Sequence, residues 1–227
     1  MPPSVQVTEN LSGIDDVTRS LVRSAAAIAG AAETKLRAVF EEVVDRVERS
    51  EMDEVILQSY LFAGFPRALN AARIWRSVSG QQAPAEDRDA ELGSSATWVE
   101  RGEETCRIVY GESYELLREN IRELHPALDS WMITDGYGKV LSRPQLALRT
   151  RELCIVAACA ASAQQRQLHS HLHGALNSGA TAEEVRETLD ALDDLVDGEN
   201  LTRYRGLLTH VLARRHPPVK TETSNVR

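Results

Sequence analysis

Apolar residues along this chain recur three and four positions apart, the spacing of a helix that buries one face. Leu21, Val22, Ala25 and Ile28 share one such face, and Leu36, Val39, Phe40, Val43, Val44 and Val47 share another, so residues 11–49 read as two helices. A further helical stretch runs from Ser50 to Arg76, broken or bent near Gly64-Phe65-Pro66 because proline has no N–H to give the helix. Ser77 to Thr97, rich in Gly, Gln, Ala, Asp, Glu and Ser, reads as a solvated connection.

Helical spacing resumes near Trp98, through Glu100 to Glu112 and Tyr114 to Leu124. Pro126 opens a helix carrying Leu128, Trp131 and Met132, and Gly136-Tyr137-Gly138 marks a turn or a bend. After the loop at Ser142-Arg143-Pro144, two helices are expected at about 148–162 and 164–177. Asn177-Ser178-Gly179 supplies a C-cap, and Thr181 with Glu184 forms a capping box that starts a helix reaching about Asp194. A last helix spans about 200–214, and the polar tail from 215 to 227 reads as disordered. Period-two alternation is hard to find and aromatics are only 5%, so the fold class is all-α.

Composition narrows the options. A chain of 227 residues, 42% of them hydrophobic, buries a core as one domain or two closely packed halves. Lys and Arg total 26 against 34 Asp and Glu, a net charge of −8, which argues against nucleic-acid or anionic-membrane partners. No stretch approaches the roughly 18 to 20 apolar residues of a membrane span. The first residues lack the basic-then-apolar pattern of a signal peptide, so the cytoplasm is the default compartment. Cys106, Cys154 and Cys159 form no C-x-x-C pair and read first as small buried hydrophobes, with a lone reactive thiol the open alternative.

The helix near 164–177 carries the candidate chemistry. With about 100° per residue, Leu168, Leu172, Ala175 and Leu176 form its apolar face, and Gln164, Gln167 and His171 line one edge of it. His169 and His173 fall on the other flank; their i, i+4 spacing suits a metal, but no third ligand accompanies them. On the preceding helix Glu152 shares a face with Ile155, Val156, Cys159 and Ala163. A carboxylate on so apolar a helix needs a partner if it is buried, and an antiparallel neighbour would offer His171. Glu152 and His171 would then be an acid/base pair. Their bland readings are a solvated residue of the helix's first turn and a structural histidine. Asp190, Asp193, Asp194 and Asp197 read as a solvated acidic face rather than a calcium loop.

Residues 137–158, with Ser142-Arg143-Pro144 and Arg151-Glu152-Leu153, resemble the carboxymuconolactone decarboxylase family, and so do His171 to Thr181 and Glu183-Glu184-Val185. The resemblance implies the alkylhydroperoxidase D-like helical fold. In peroxidase relatives of that fold a glutamate, a C-x-x-C pair and a histidine form the site; here those positions hold Glu152, Gln164, Gln167 and His171. Reduction of a hydroperoxide by a dithiol is therefore not expected. The decarboxylase branch implies a cofactor-free lyase acting on a small carboxylated lactone or related acid in aromatic-compound breakdown. In that reading His171 moves a proton, Glu152 positions it, Arg143 or Arg151 binds the substrate carboxylate, and Gln164 and Gln167 line the site. A homo-oligomer, trimer or dimer, is also implied.

Glu54 to Ala71, with its Gly64-Phe65-Pro66, resembles the closing helix of the same domain. This implies two diverged copies: an N-terminal half at 11–76, a linker at 77–97 and a C-terminal half at 98–214. Two other functions stay open: residual peroxidase-like activity through Cys159, and a non-catalytic helical oligomer.

Overall fold

The computed structural model describes residues 13–87 and 95–215, which form helices and connecting turns with no strand among them. Of the tail expected to be disordered at 215–227, Arg215 ends a helix and the rest lies outside these residues, as does part of the expected linker. Helix α1 (Asp16–Gly30) starts where the Asp15 side chain accepts from the Thr18 N–H at 2.7 Å. Helix α2 (Glu33–Val43) follows, then α3 (Arg49–Ala63) and α4 (Phe65–Ser79). The interruption at Gly64-Phe65-Pro66 is a one-residue corner: Gly64 has φ 83°, and Pro66 lies in the first turn of α4, where a missing N–H costs nothing.

Helix α5 (Ser95–Tyr110) leads through a 3₁₀ turn (Gly111–Ser113) into α6 (Tyr114–Leu124) and α7 (Pro126–Trp131). The next segment, expected as a turn or bend, is a ten-residue π-helix, Met132–Leu141. Close approach of α5 accompanies it. A Cβ on Gly138 would lie 1.9 Å from the Trp98 carbonyl oxygen, so only glycine lets the two backbones meet there.

Helices α8 (Leu148–Ala161), α9 (Gln165–Asn177), α10 (Ala182–Asp190) and α11 (Gly198–Arg215) complete the chain. The C-cap at Gly179, with φ 95°, and the capping box of Thr181 and Glu184 are both formed. Helix α10 ends at Asp190, earlier than expected. Asp194, beyond that end, receives Arg23 at 2.6 Å and Lys35 at 2.6 Å.

Helix α8 is the axis of the molecule. Every residue from Thr150 to Ala160 is buried, so it shows no solvent face, as expected of a helix enclosed on all sides. Helices α1 and α3 pack on it from the N-terminal part, and α9, α10 and α11 from the C-terminal part. Residues of both parts form a single continuous core.

Candidate active site

Glu152 is fully buried on α8, and His171 on α9 is 5% exposed. Their side chains meet: His171 Nδ1 lies 2.8 Å from Glu152 Oε2. The link between the helices sets this pairing. Ala163 takes a left-handed conformation, φ 57°, and the Gln164 N–H donates to the Cys159 carbonyl at 2.9 Å, so α9 doubles back directly on α8. Gly174 makes the fit close. A Cβ there would stand 2.4 Å from Glu152 Oε2 and 2.8 Å from Val109 Cγ1, so the carboxylate occupies the space a side chain would take.

The second oxygen, Glu152 Oε1, is buried with no hydrogen-bond partner. A bare acceptor in such a place costs free energy. Phe62, at the end of α3, sets its ring against His171, edge-on with centroids 5.5 Å apart. The rings of Tyr110 on α5 and Tyr137 on the π-helix meet edge-on, with centroids 6.2 Å apart. Burial raises both above the ordinary tyrosine range, and the Glu152 charge adds to this. Both therefore remain neutral donors at physiological pH.

The two arginines expected at a substrate carboxylate are engaged elsewhere. Arg151, with no exposed surface, gives Glu54 Oε2 a hydrogen bond at 2.7 Å, Gln58 Oε1 one at 3.2 Å, and the carbonyls of Leu146 and Arg143 two more. Arg143 reaches Glu54 at 2.9 Å and Asp87 at 3.0 Å. Both guanidiniums thus fasten α8 and the loop before it to the buried carboxylate of α3. Gln164 and Gln167 are exposed, and their side chains make no hydrogen bond among the described residues. The expected polar edge therefore divides: its histidine turns inward, while Gln164, just before α9, and Gln167, in its first turn, face solvent.

All three cysteines are free and buried. Burial pushes each thiol up to about 12, and the Glu152 charge reinforces this at Cys106 and Cys159. Almost no thiolate exists at neutral pH under those conditions. Among the described residues no group of three or more His, Cys, Asp or Glu could hold a metal ion.

Phe62, Gly174, Tyr110 and Tyr137 were not read as site residues. Tyr137 and Gly174 stand inside the segments that carry the resemblance, yet nothing in their spacing points at Glu152. Phe62 comes from a different part of the chain, and only the packing of α3 on α8 brings it to His171.

The sequence profile of the carboxymuconolactone decarboxylase family matches residues 130–209, the stretch that holds both Glu152 and His171. Peroxisomal protein 2 of Schizosaccharomyces pombe is 30% identical over 161 residues, covering 66% of this chain and 72% of that protein. A 4-carboxymuconolactone decarboxylase of Acinetobacter baylyi is 30% identical over 71 residues, which cover 31% of this chain and 53% of that protein. On the profile match and the extent of these similarities, the chain belongs to the carboxymuconolactone decarboxylase family.

Proposed function

We propose that the chain is a cofactor-free lyase that removes CO2 from a small carboxylated lactone or related acid by proton transfer at His171. The observation that carries this is the buried 2.8 Å contact between His171 Nδ1 and Glu152 Oε2. An ionised Glu152 holds the proton on Nδ1, which leaves Nε2 to exchange a proton with substrate and steadies the imidazolium that results. In the step itself the carbon–carboxylate bond breaks and its electron pair passes into the conjugated carbonyl. A proton on Nε2 of His171, taken up from solvent before the step, then closes the new C–H bond and leaves the imidazole neutral. Tyr110 and Tyr137, as neutral donors beside the pair, suit the developing oxyanion. The high thiol values weigh against a peroxidase route through Cys159.

Measured CO2 release from 4-carboxymuconolactone tests this reading. His171→Ala should lower the rate by about 10²- to 10⁴-fold, and Glu152→Gln by a smaller factor. Equal rates in wild type and His171→Ala would sink the assignment. Cytoplasmic residence belongs to the same proposal, whereas the name of the S. pombe relative points to the peroxisome; the location of a fluorescent fusion decides between them.

A further inference from the structure

Proton exchange with a substrate requires contact with His171, yet that ring is 5% exposed and Glu152 is fully buried. Something beside the pair must therefore move. Most of the surroundings are fixed by packing: every residue of α8 from Thr150 to Ala160 is buried, Gly174 is packed against the carboxylate, and Tyr137 is buried. Phe62 differs. Its ring is the one aromatic ring set against His171 among the described residues, edge-on at 5.5 Å, and it is half-buried. It stands in the last turn of α3, just before the corner at Gly64. Turning a partly exposed side chain at a helix end costs far less than shifting a packed helix.

The same ring forms one wall of a cleft between α1, α3 and α8. Ala25 and Ala29 of α1, Val55 and Ala63 of α3 and Ala158 of α8 line it as well. Its polar side chains are already engaged. The Ser59 hydroxyl donates to the Ile56 carbonyl at 2.7 Å, and the Gln58 amide exchanges hydrogen bonds with Arg151. No charged side chain lines the cleft, so it suits an uncharged guest. There is room in it for little more than a water molecule, and anything larger needs the Phe62 ring withdrawn.

We infer that Phe62 is the specificity-determining residue of the Glu152–His171 site: its ring turns away to uncover His171, and the space it leaves, joined to the cleft, takes an uncharged hydrocarbon part of the substrate. This rests on the lyase reading for there being a substrate, and adds that the acid carries an apolar body beside the group that reacts. Burial of that body supplies binding that Arg143 and Arg151, both held by Glu54, do not.

Modification of histidines by diethyl pyrocarbonate, mapped by peptide mass in the full chain, tests this without calling on turnover. Phe62→Ala should speed the reaction at His171 about tenfold and Phe62→Leu by less, with exposed His125 unchanged in both. Benzene at saturation should return the Phe62→Ala rate toward that of wild type by filling the vacated apolar space, whereas succinate at matched ionic strength should not. The buried thiols report on the fold: where they stay unreactive the fold is kept, and if Phe62→Ala exposes them, Phe62→Leu carries the test. An unchanged rate at His171 would overturn the proposal, and so would protection by succinate or its absence with benzene. The expected pattern in a chain that releases no CO2 would sink the lyase reading and leave Phe62 as the cover of His171.

Discussion

Glycine at position 174 is as much a part of the site as the carboxylate beside it. Gly174→Ala should cost about 1 to 3 kcal/mol by overpacking and displace Glu152, lowering activity as well as the urea midpoint. The cysteines give a second expectation. None should react with a small disulfide reagent in the native protein at pH 8, and all three should react once the chain is unfolded in guanidinium, because burial and a pKa of about 12 withhold the thiolate. At this scale the pair of Glu152 and His171 was legible, since a carboxylate on an apolar helix demands a partner and the next helix offers few. The glycine was not, because an absent side chain acquires meaning only when its neighbours are placed. Arg143 and Arg151 show the converse. Sequence shows their charge, but only the fold shows that Glu54, nearly a hundred residues earlier, occupies them both.

Helix positions were read well in this chain because caps and breakers are local. The capping box of α10, the C-cap of α9 and the corner at Gly64 each rest on residues adjacent in sequence. Thr181→Ala should therefore lower stability by about 1 kcal/mol, measurable by thermal or urea unfolding. The π-helix was missed for a physical reason. Its i→i+5 bonding coincides with the backbone approach of α5 at Gly138, a tertiary fact with no periodic signature. The clasp between α3 and α8 belongs to this scale too. Glu54→Ala leaves Arg151 buried without its counter-charge and should destabilise the fold by about 3 to 5 kcal/mol, seen as a lowered midpoint in denaturant.

For the molecule as a whole, Asp194 joins what sequence reading had separated. It pairs with Arg23 of α1 and Lys35 of α2, and the Arg23 hydrogen bond, then that of Lys35, hold its carboxyl far below the usual range. A depressed carboxylate stabilises the fold above its unfolded pKa of about 4, and that contribution is lost as the pH falls further. Asp194→Asn should thus lower the melting temperature at pH 7 and narrow the gap from wild type as the pH drops toward 2. The wholly helical architecture was plain from periodicity, whereas the packing of α1 and α3 on α8 was not, since no residue announces which distant helix it will touch. The seam between α1 and α8 carries a mechanical consequence. A Cβ on Gly30 would come within 2.6 Å of the Ala161 carbonyl oxygen, so the two helices meet there backbone to backbone. With no side chain at Gly30 to absorb a displacement, the end of α1 bears directly on the end of α8. A bulky substitution there would push on the helix that holds Glu152, detuning the acid–histidine contact from a helix that supplies no chemistry of its own.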